Sequence, residues 1–415
     1  MNEAMVLQRD AVVIGGGPAG LAAAIRLREK GIESVLVLER ERTAGGILRQ
    51  CIHDGFGLTR FGESLSGPEY AERFVSRAAE LGIEVRTDCT VLHVSGEHTV
   101  TAVCPAGLFR VRAKAVVLAM GCRERTRGAL AIPGSRPAGI YTAGVAQSYI
   151  NLQNVMVGRE VVILGSGDIG LIMARRLTLE GAHVVGVFEV QPYPSGLARN
   201  IQQCLNDYDI PLYLSHTVVD VHGRGRVTGV TVAECDAAFR PIAGTEREYP
   251  CDTLVLSVGL IPENELSLGA GVELDPRTKG ALVDENCQTG IPGIFAAGNV
   301  LHVHDLVDFV SLEAEALAEA AASYIRDGAL APCPLAVETD GSIGHVIPQR
   351  VSGTKSFTLW LRVRKPLPGC RICVRQNGRL LAQKSLPKAL PAEMIQLRIS
   401  VEELDQEHSV EVTTE

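Results

Sequence analysis

Two glycine turns carry the chemistry that is legible first. Gly15, Gly17 and Gly20 follow the apolar run Ala11-Val12-Val13-Ile14, and Gly165, Gly167 and Gly170 follow Val161-Val162-Ile163-Leu164. In a G-x-G-x-x-G turn between strand and helix, the first glycine permits the tight turn. The second lets the backbone approach a pyrophosphate, and the third lets helix and strand pack closely. The helix that follows offers unpaired N–H groups and a positive dipole end to phosphate. Glu39 and Glu189 each stand 24 residues beyond the first glycine of their turn, at the end of a second apolar strand. A carboxylate there accepts the hydrogens of a ribose diol. One such turn is a weak signal. Strand, glycines, helix, strand and acid, twice at one spacing, point to two dinucleotides that exchange electrons. At Glu189 a carboxylate suits an unphosphorylated ribose, because it would repel a 2′-phosphate and the next base, Arg199, is ten residues on. As a mere strand end it would carry no such information.

Those turns need elements to hold them. The unbroken apolar runs read as strands buried on both faces. Helical spacing follows the first turn through Leu21, Ala24, Ile25 and Leu27 and stops at Lys30-Gly31; the second helix runs to Glu180-Gly181. Residues 83–117 alternate, with turn signals at Ser95-Gly96 and Pro105-Ala106-Gly107, and predict an antiparallel meander. It ends in the apolar stretch 115–119 and Met120-Gly121; the counterpart after the second turn reads as strands over 212–232, then 254–258 and Gly259. Residues 293–299 are a further apolar strand ending in Gly298-Asn299, and 311–325 an Ala- and Glu-rich helix. The expected fold is therefore α/β, with two Rossmann-like dinucleotide-binding domains. The second (131–261) is inserted in a discontinuous first one (1–130 and 262–332). Residues 333–415 predict a small β domain. Its stretch 351–363 alternates, Phe357, Leu359, Leu361 and Val363 against Thr358, Trp360, Arg362 and Arg364. Residues 350–398 hold eleven Lys or Arg and one acid, Glu393, whereas 399–415 hold six acids and no base.

The 415 residues carry 40 basic and 48 acidic side chains, a net charge of −8, with 46% hydrophobic and 4% aromatic residues. That balance excludes a disordered or disulfide-dense chain, and offers neither the positive field nor the stacking rings of a nucleic-acid binder. Eleven cysteines, an odd number scattered over a long chain, fit a reducing compartment. Glu3, Arg9 and Asp10 leave no signal-peptide core, and no run approaches the roughly 20 apolar residues of a membrane span. A cytoplasmic protein without an integral membrane segment is expected.

On these residues the sequence resembles the two-dinucleotide-binding-domain flavoproteins of the pyridine nucleotide-disulfide oxidoreductase superfamily, over about residues 10–330. Three further stretches, 45–53 (GGILRQCIH), 121–128 (GCRERTRG) and 301–305 (LHVHD), are similar to one subgroup. It comprises flavoproteins associated with anaerobic glycerol-3-phosphate dehydrogenases, akin to the flavin subunits of opine oxidases, hydroxyproline dehydrogenases and hydrogen cyanide synthase. The resemblance implies FAD and NAD as cofactors. Gly15, Gly17 and Gly20 would hold the FAD pyrophosphate and Glu39 its ribose; Gly45 and Gly46 would pass near the flavin side, and Val91 would meet the adenine through its backbone. Gly121 would close the strand-end crossing. Gly298 and Asn299 match the place where the family has Gly-Asp beside the ribityl chain, with an amide replacing the acid. The next helix could aim its N-terminus at the flavin. Gly165, Gly167, Gly170, Glu189 and Gly259 would take the NAD.

Disulfide reductases of this superfamily set a cysteine pair against the flavin, whereas here Cys51 has Ile47 and Leu48 where the second cysteine would stand. Cys51 alone could be a thiolate acceptor stabilised by His53, or both could simply line the flavin pocket. His302, His304, Asp305 and Asp308 could form a metal or proton-transfer cluster; a solvated helix entrance is the favoured alternative, so no metal is expected. Cys370 and Cys373, offset by three on a strand, would face opposite ways and suit no metal. Trp360, Arg362 and Arg364 either dock an acidic partner or are a packed ring with solvated arginines. The expected function is hydride transfer between NAD(H) and flavin, in the electron-transfer subunit of a multi-component dehydrogenase for a small substrate such as glycerol 3-phosphate or a hydroxy or amino acid. A partner dehydrogenase subunit on the basic domain, and hence an oligomer or hetero-complex, is expected. The rivals are a stand-alone NADH-dependent thiol, peroxide or persulfide reductase using Cys51, and a non-enzymatic flavin-bound redox sensor or assembly protein.

Overall fold

The computed structural model describes residues 5–400 and 404–415. Glu3, Glu402 and Glu403, which entered the charge reading above, lie outside the described residues. The chain forms two compact units, one of residues up to Cys122 together with Pro262–Glu415, the other Arg123–Ile261.

The first unit starts with β1 (Met5–Ile14), α1 (Pro18–Glu29) and β2 (Val35–Leu38), followed by α2 (Gly67–Glu80) and β3 (Glu84–Arg86). Then come β4 (Thr90–Val94), β5 (Thr99–Cys104) and β6 (Gly107–Leu118). The sheet order is β3-β2-β1-β6-β5-β4. β1 pairs parallel with both β2 and β6, and β6-β5-β4 are antiparallel. The apolar run of β1 is continuous because both its faces are covered. Ala11 and Val13 join the core under α1 and α2 with Leu21, Tyr70 and Phe74, whereas Val12 and Ile14 face Val94, Val100 and Val111 of the meander. The structure departs from the expected meander at its start. Glu84–Arg86 pairs parallel with β2, because α2 returns the chain to the same end of the sheet and a helical crossover delivers a parallel strand.

The second unit repeats the plan with β7 (Ile140–Thr142), β8 (Glu160–Leu164), α3 (Asp168–Leu179), β9 (His183–Glu189) and β10 (Leu212–Leu214). An antiparallel trio follows, β11 (His216–Gly223), β12 (Val227–Glu234) and β13 (Arg247–Pro250), and β14 (Thr253–Leu256) returns to the parallel sheet. That sheet runs β7-β14-β8-β9-β10. Arg127 braces this unit. Its buried guanidinium donates to the carbonyls of Ile132, Pro133, Gly134 and Ser135, with 2.6 Å to Pro133 O. No role for it was legible in the sequence. Arg127→Met would strip donors from four carbonyls at once and is expected to cost about 3 kcal/mol. Thermal unfolding monitored by circular dichroism checks this, and an unchanged midpoint would refute it.

Back in the first unit, β15 (Ile294–Ala296) pairs parallel with the far end of β6 and leads through Gly298 to α4 (Val307–Asp327). Alanines of α4 (Ala314, Ala318, Ala321, Ala322) lie in one core with Ala22, Ala23 and Ala24 of α1. The C-terminal β region contributes β16 (Leu335–Thr339), β17 (Ile343–Ile347), β18 (Arg350–Val351), β19 (Phe357–Val363), β20 (Leu367–Gln376), β21 (Arg379–Ala389), β22 (Ile395–Ile399) and β23 (Val410–Thr414). They form a sheet β18-β16-β23-β20-β21 and a sheet β17-β19-β22. β19 alternates as its sequence requires: Phe357, Leu359, Leu361 and Val363 enter the core of this region. Among the described residues no helix is long and apolar enough to cross a membrane.

Candidate functional site

In the first unit, Gly15 has φ +108°, and a Cβ there would lie 2.3 Å from Ala119 O; at Gly20 it would lie 1.8 Å from Gly15 O. Both positions are closed to any side chain by backbone. At Gly17 a Cβ would meet nothing nearer than Gly46 Cα at 3.8 Å. The space before the second glycine is therefore clear. Gly17 caps α1 without a side-chain acceptor, Pro18 follows, and the first turn holds no acid, so its N–H groups are available to an anion. Gly45 N–H donates to Gly16 O at 2.8 Å, laying Gly45-Gly46 along the turn. Glu39 is buried against it. Its Oε2 accepts the Gly16 N–H at 2.7 Å and its Oε1 the Glu41 N–H at 2.8 Å, leaving lone-pair capacity on both oxygens for a diol. Cys89 N–H donates to Glu39 O at 2.9 Å, which brings Val91, two residues on, to the same end of the sheet. Gly121 (φ +73°) has no neighbour near its missing side chain. These are the features an FAD requires: an open cradle, a bare helix terminus and a buried acid. The residues fit that group.

The second unit repeats this with one addition. A Cβ on Gly165 would meet Ser257 O at 2.0 Å, whereas Gly167 has only Ser257 Oγ at 3.3 Å and Ser257 O at 3.6 Å. Ser257 Oγ accepts the N–H of Gly170 at 3.0 Å, a contact for which the alanine at the equivalent strand end, Ala119, has no atom. Glu189 Oε2 takes Ser166 N–H at 3.0 Å, Ser166 Oγ–H at 2.6 Å and Ser195 Oγ–H at 2.8 Å; Oε1 takes Gln191 N–H at 2.9 Å. Asp168, the first residue of α3, accepts from Leu197 N–H and the Asn200 amide. The stretch 195–200 is thereby drawn over the turn, and a ribose diol at Glu189 would meet Oε1, which accepts the Gln191 N–H, or compete with Ser195 for Oε2. No sequence signal marked Ser166, Ser195 or Ser257; each acts across a gap set by the fold. Gly259 (φ +101°) is open, like Gly121.

After β15, Gly298 (φ +75°) approaches Ala19, where a Cβ would come to 2.9 Å. Asn299 accepts the His304 N–H at 3.0 Å and sets its amide nitrogen 3.7 Å from Cys122 Sγ. Cys51 is half-buried after the 46–50 turn, and burial pushes its thiol up to about 12, away from the thiolate form. The His53 ring packs 5.0 Å from Phe56. Among the described residues the eleven cysteines form no disulfide. Cys370 and Cys373 both lie on β20, Cys370 in the core of the β region.

The stretch 302–308 is not a solvated helix entrance. His302 and His304 have 1% of their side-chain surface exposed, and both Nε2 atoms lie 3.0 Å from Glu313 Oε2. Burial pushes His302 and His345 below the usual imidazole range. Burial alone would raise Glu313, yet the two imidazoles at its oxygen hold it below the usual carboxylate range. Glu313 was missed although it stands three residues after Val310 and four before Leu317, an acid on the apolar stripe of α4. Asp308 leaves this group entirely. Its carboxylate accepts N–H groups from Gly57 at 2.9 Å, Thr59 at 2.7 Å and Arg60 at 3.3 Å, pinning the loop beyond His53.

The expected docking face is corrected in part. Arg362 turns inward, donating to the carbonyls of Val303, Pro391 and Ala392, with Asp305 at 3.7 Å. Trp360 packs on Phe309 at 5.2 Å. The cause is the loop 301–306, which covers that face of β19. Arg364 stays exposed, as do Lys365, Arg371, Lys384 and Lys388.

Residues 9–322 match the family described as pyridine nucleotide-disulphide oxidoreductase. The hydrogen cyanide synthase subunit HcnB of Pseudomonas protegens is 30% identical over 287 residues, 63% of this chain and 59% of that protein. One subunit of the opine oxidase of Agrobacterium tumefaciens is 27% identical over 317 residues, 70% of this chain and 61% of that one. The match thus spans about three fifths of these curated relatives. Among solved structures, thioredoxin reductase of T. acidophilum superposes with a TM-score of 0.63 at 24% identity, covering 76% of this chain and 98% of that one. At that identity the likeness concerns the fold.

Proposed function

The chain belongs to the pyridine nucleotide-disulphide oxidoreductase family, whose members use FAD and NAD(P), and from that premise we propose that it is the electron-transfer subunit of a multi-component dehydrogenase. Its bound coenzymes supply hydride transfer between nicotinamide and flavin. The chain's residues supply position. Gly15, Gly17 and Gly20 with the α1 terminus hold one pyrophosphate, Glu39 its ribose, and Gly165, Gly167, Gly170 and Glu189 the corresponding parts of NAD. Gly45, Gly46, Val91, Gly121, Gly298 and Asn299 line the FAD, and Gly259 the NAD.

One observation carries the reading: each glycine turn has its own buried acid folded onto the turn's N–H, while positions 47 and 48, near Cys51, hold Ile and Leu in place of a second cysteine. Two coenzymes without a dithiol relay need an acceptor elsewhere. The relatives named as subunits of hydrogen cyanide synthase and opine oxidase favour a partner protein. Its substrate would be glycerol 3-phosphate or a small hydroxy or amino acid, and the exposed bases Arg364, Lys365, Lys384 and Lys388 suit an acidic docking surface. The test is an anaerobic titration of the purified protein with NADH and then NADPH, alone and with co-expressed partner subunits. NADH should bleach about one flavin per chain, more readily than NADPH, and the partner should raise turnover. A flavin that neither nucleotide reduces would refute the reading.

A second reading passes electrons through Cys51 to a thiol, peroxide or persulfide. The raised thiol pKa of about 12 disfavours it. Cys51→Ser is accordingly expected to keep NADH-driven flavin reduction within about twofold of the parent; a collapse of turnover with retained flavin would move the assignment to this reading.

A further inference from the structure

The group around Glu313 contains more buried polar atoms than its own hydrogen bonds satisfy. His302 Nδ1, His304 Nδ1, Glu313 Oε1 and His345 Nε2 are all buried without a hydrogen-bond partner. His304 Nε2 also lacks one, although it stands 3.0 Å from Glu313 Oε2. His304 Nε2 and Glu313 Oε1 are the unpaired atoms of the group that meets at the carboxylate, and polar atoms this deep without a partner call for an occupant; an imidazole that meets it through Nε2 leaves its Nδ1 to another partner. Arg362, the nearby base, donates to three main-chain carbonyls and stands 3.7 Å from Asp305.

We propose that His302, His304 and Glu313 bind one divalent transition-metal ion of the zinc type. The three ligand atoms lie within 4.8 Å of one another, and both imidazole nitrogens are 3.0 Å from the carboxylate oxygen. Metal–ligand bonds of roughly 2.0–2.2 Å set neighbouring ligand atoms roughly 3.0–3.5 Å apart, so the two imidazole–carboxylate sides of the triangle already have the dimensions of a coordination shell, and the third side, within 4.8 Å, has to close by rotation of an imidazole. Two imidazoles and a carboxylate are a borderline donor set, suited to zinc rather than to calcium or magnesium. The His345 ring on β17 is centred 6.1 Å from that of His302 and lies outside the three-residue group. The three ligands come from two segments, the loop after Gly298-Asn299 and α4. A metal here fastens those two segments of the first unit together.

The test uses the flavin-loaded protein after dialysis against a chelator, titrated with Zn2+ and assayed by atomic emission. The parent is expected to retain one equivalent per chain more than Glu313→Gln, whose near-isosteric amide keeps the packing, and Zn2+ should raise the melting temperature of the parent by several degrees. The comparison discounts zinc on the cysteines, which both proteins share. An anomalous difference peak at the zinc edge, between the three side chains in crystals of the parent, gives the same answer without a variant. Equal zinc in parent and variant, or no such peak in zinc-soaked crystals, would overturn the proposal. Neither readout depends on reduction by NADH, so this assignment and the proposed function can fail separately.

Discussion

Gly17→Val gives a folded, colourless protein. The backbone at Gly17, with φ −82° and ψ −171°, is ordinary extended chain that any residue adopts, and the nearest atom to an added Cβ is 3.8 Å away. The apo fold therefore accepts the substitution. The pyrophosphate does not, because the branched side chain occupies the space through which the backbone N–H groups of Gly17 and α1 would be reached. Affinity for FAD should fall by at least 100-fold, about 2.7 kcal/mol, and Gly17→Ala should fall between the two. Flavin absorbance per chain after reconstitution measures this, alongside the melting temperature of the apo forms, which should agree within a few degrees. A yellow Gly17→Val protein with parental affinity would dismiss the first turn as the flavin site. Gly20→Val cannot replace this test, since a Cβ 1.8 Å from Gly15 O disrupts the turn itself.

Gly167→Val separates the second turn from the first. Gly167, at φ −66° and ψ 157°, is also unstrained for a side chain, and an added Cβ would touch only Ser257, with the flexible Oγ at 3.3 Å. The protein should stay yellow with full flavin content, while the NADH concentration for half-maximal bleaching rises by about 100-fold, again about 2.7 kcal/mol. Reduction by dithionite should be unaffected. The opposite pattern, loss of flavin with Gly167→Val and loss of NADH response with Gly17→Val, would exchange the two coenzymes between the turns.

Both experiments rest on residues readable along the chain. Each turn, its helix and the acid closing it fall within one stretch, 11–39 or 161–189, and the physical demands there are local. A tight turn needs glycine, a strand covered on both faces needs an unbroken apolar run, and the helix needs its buried stripe. The alternation of 357–363 and the pairing of 99–118 were legible for the same reason. The boundary error at Glu84–Arg86 arose where three residues of strand give no direction of pairing, which the preceding helix decides.

The sequence by itself determined two glycine turns, the acids folded onto them and the parallel sheets that hold them, because those features are short-range patterns of backbone geometry and burial. The tertiary structure alone decided that Ser195 covers Glu189, that Arg362 points inward beneath the 301–306 loop, and that Glu313 meets His302 and His304 in a buried pocket. Those contacts join segments that no local period connects. Which side chains lose water together depends on how whole elements pack, and it is the cost of leaving a polar group dry and unpaired that then fixes each partner.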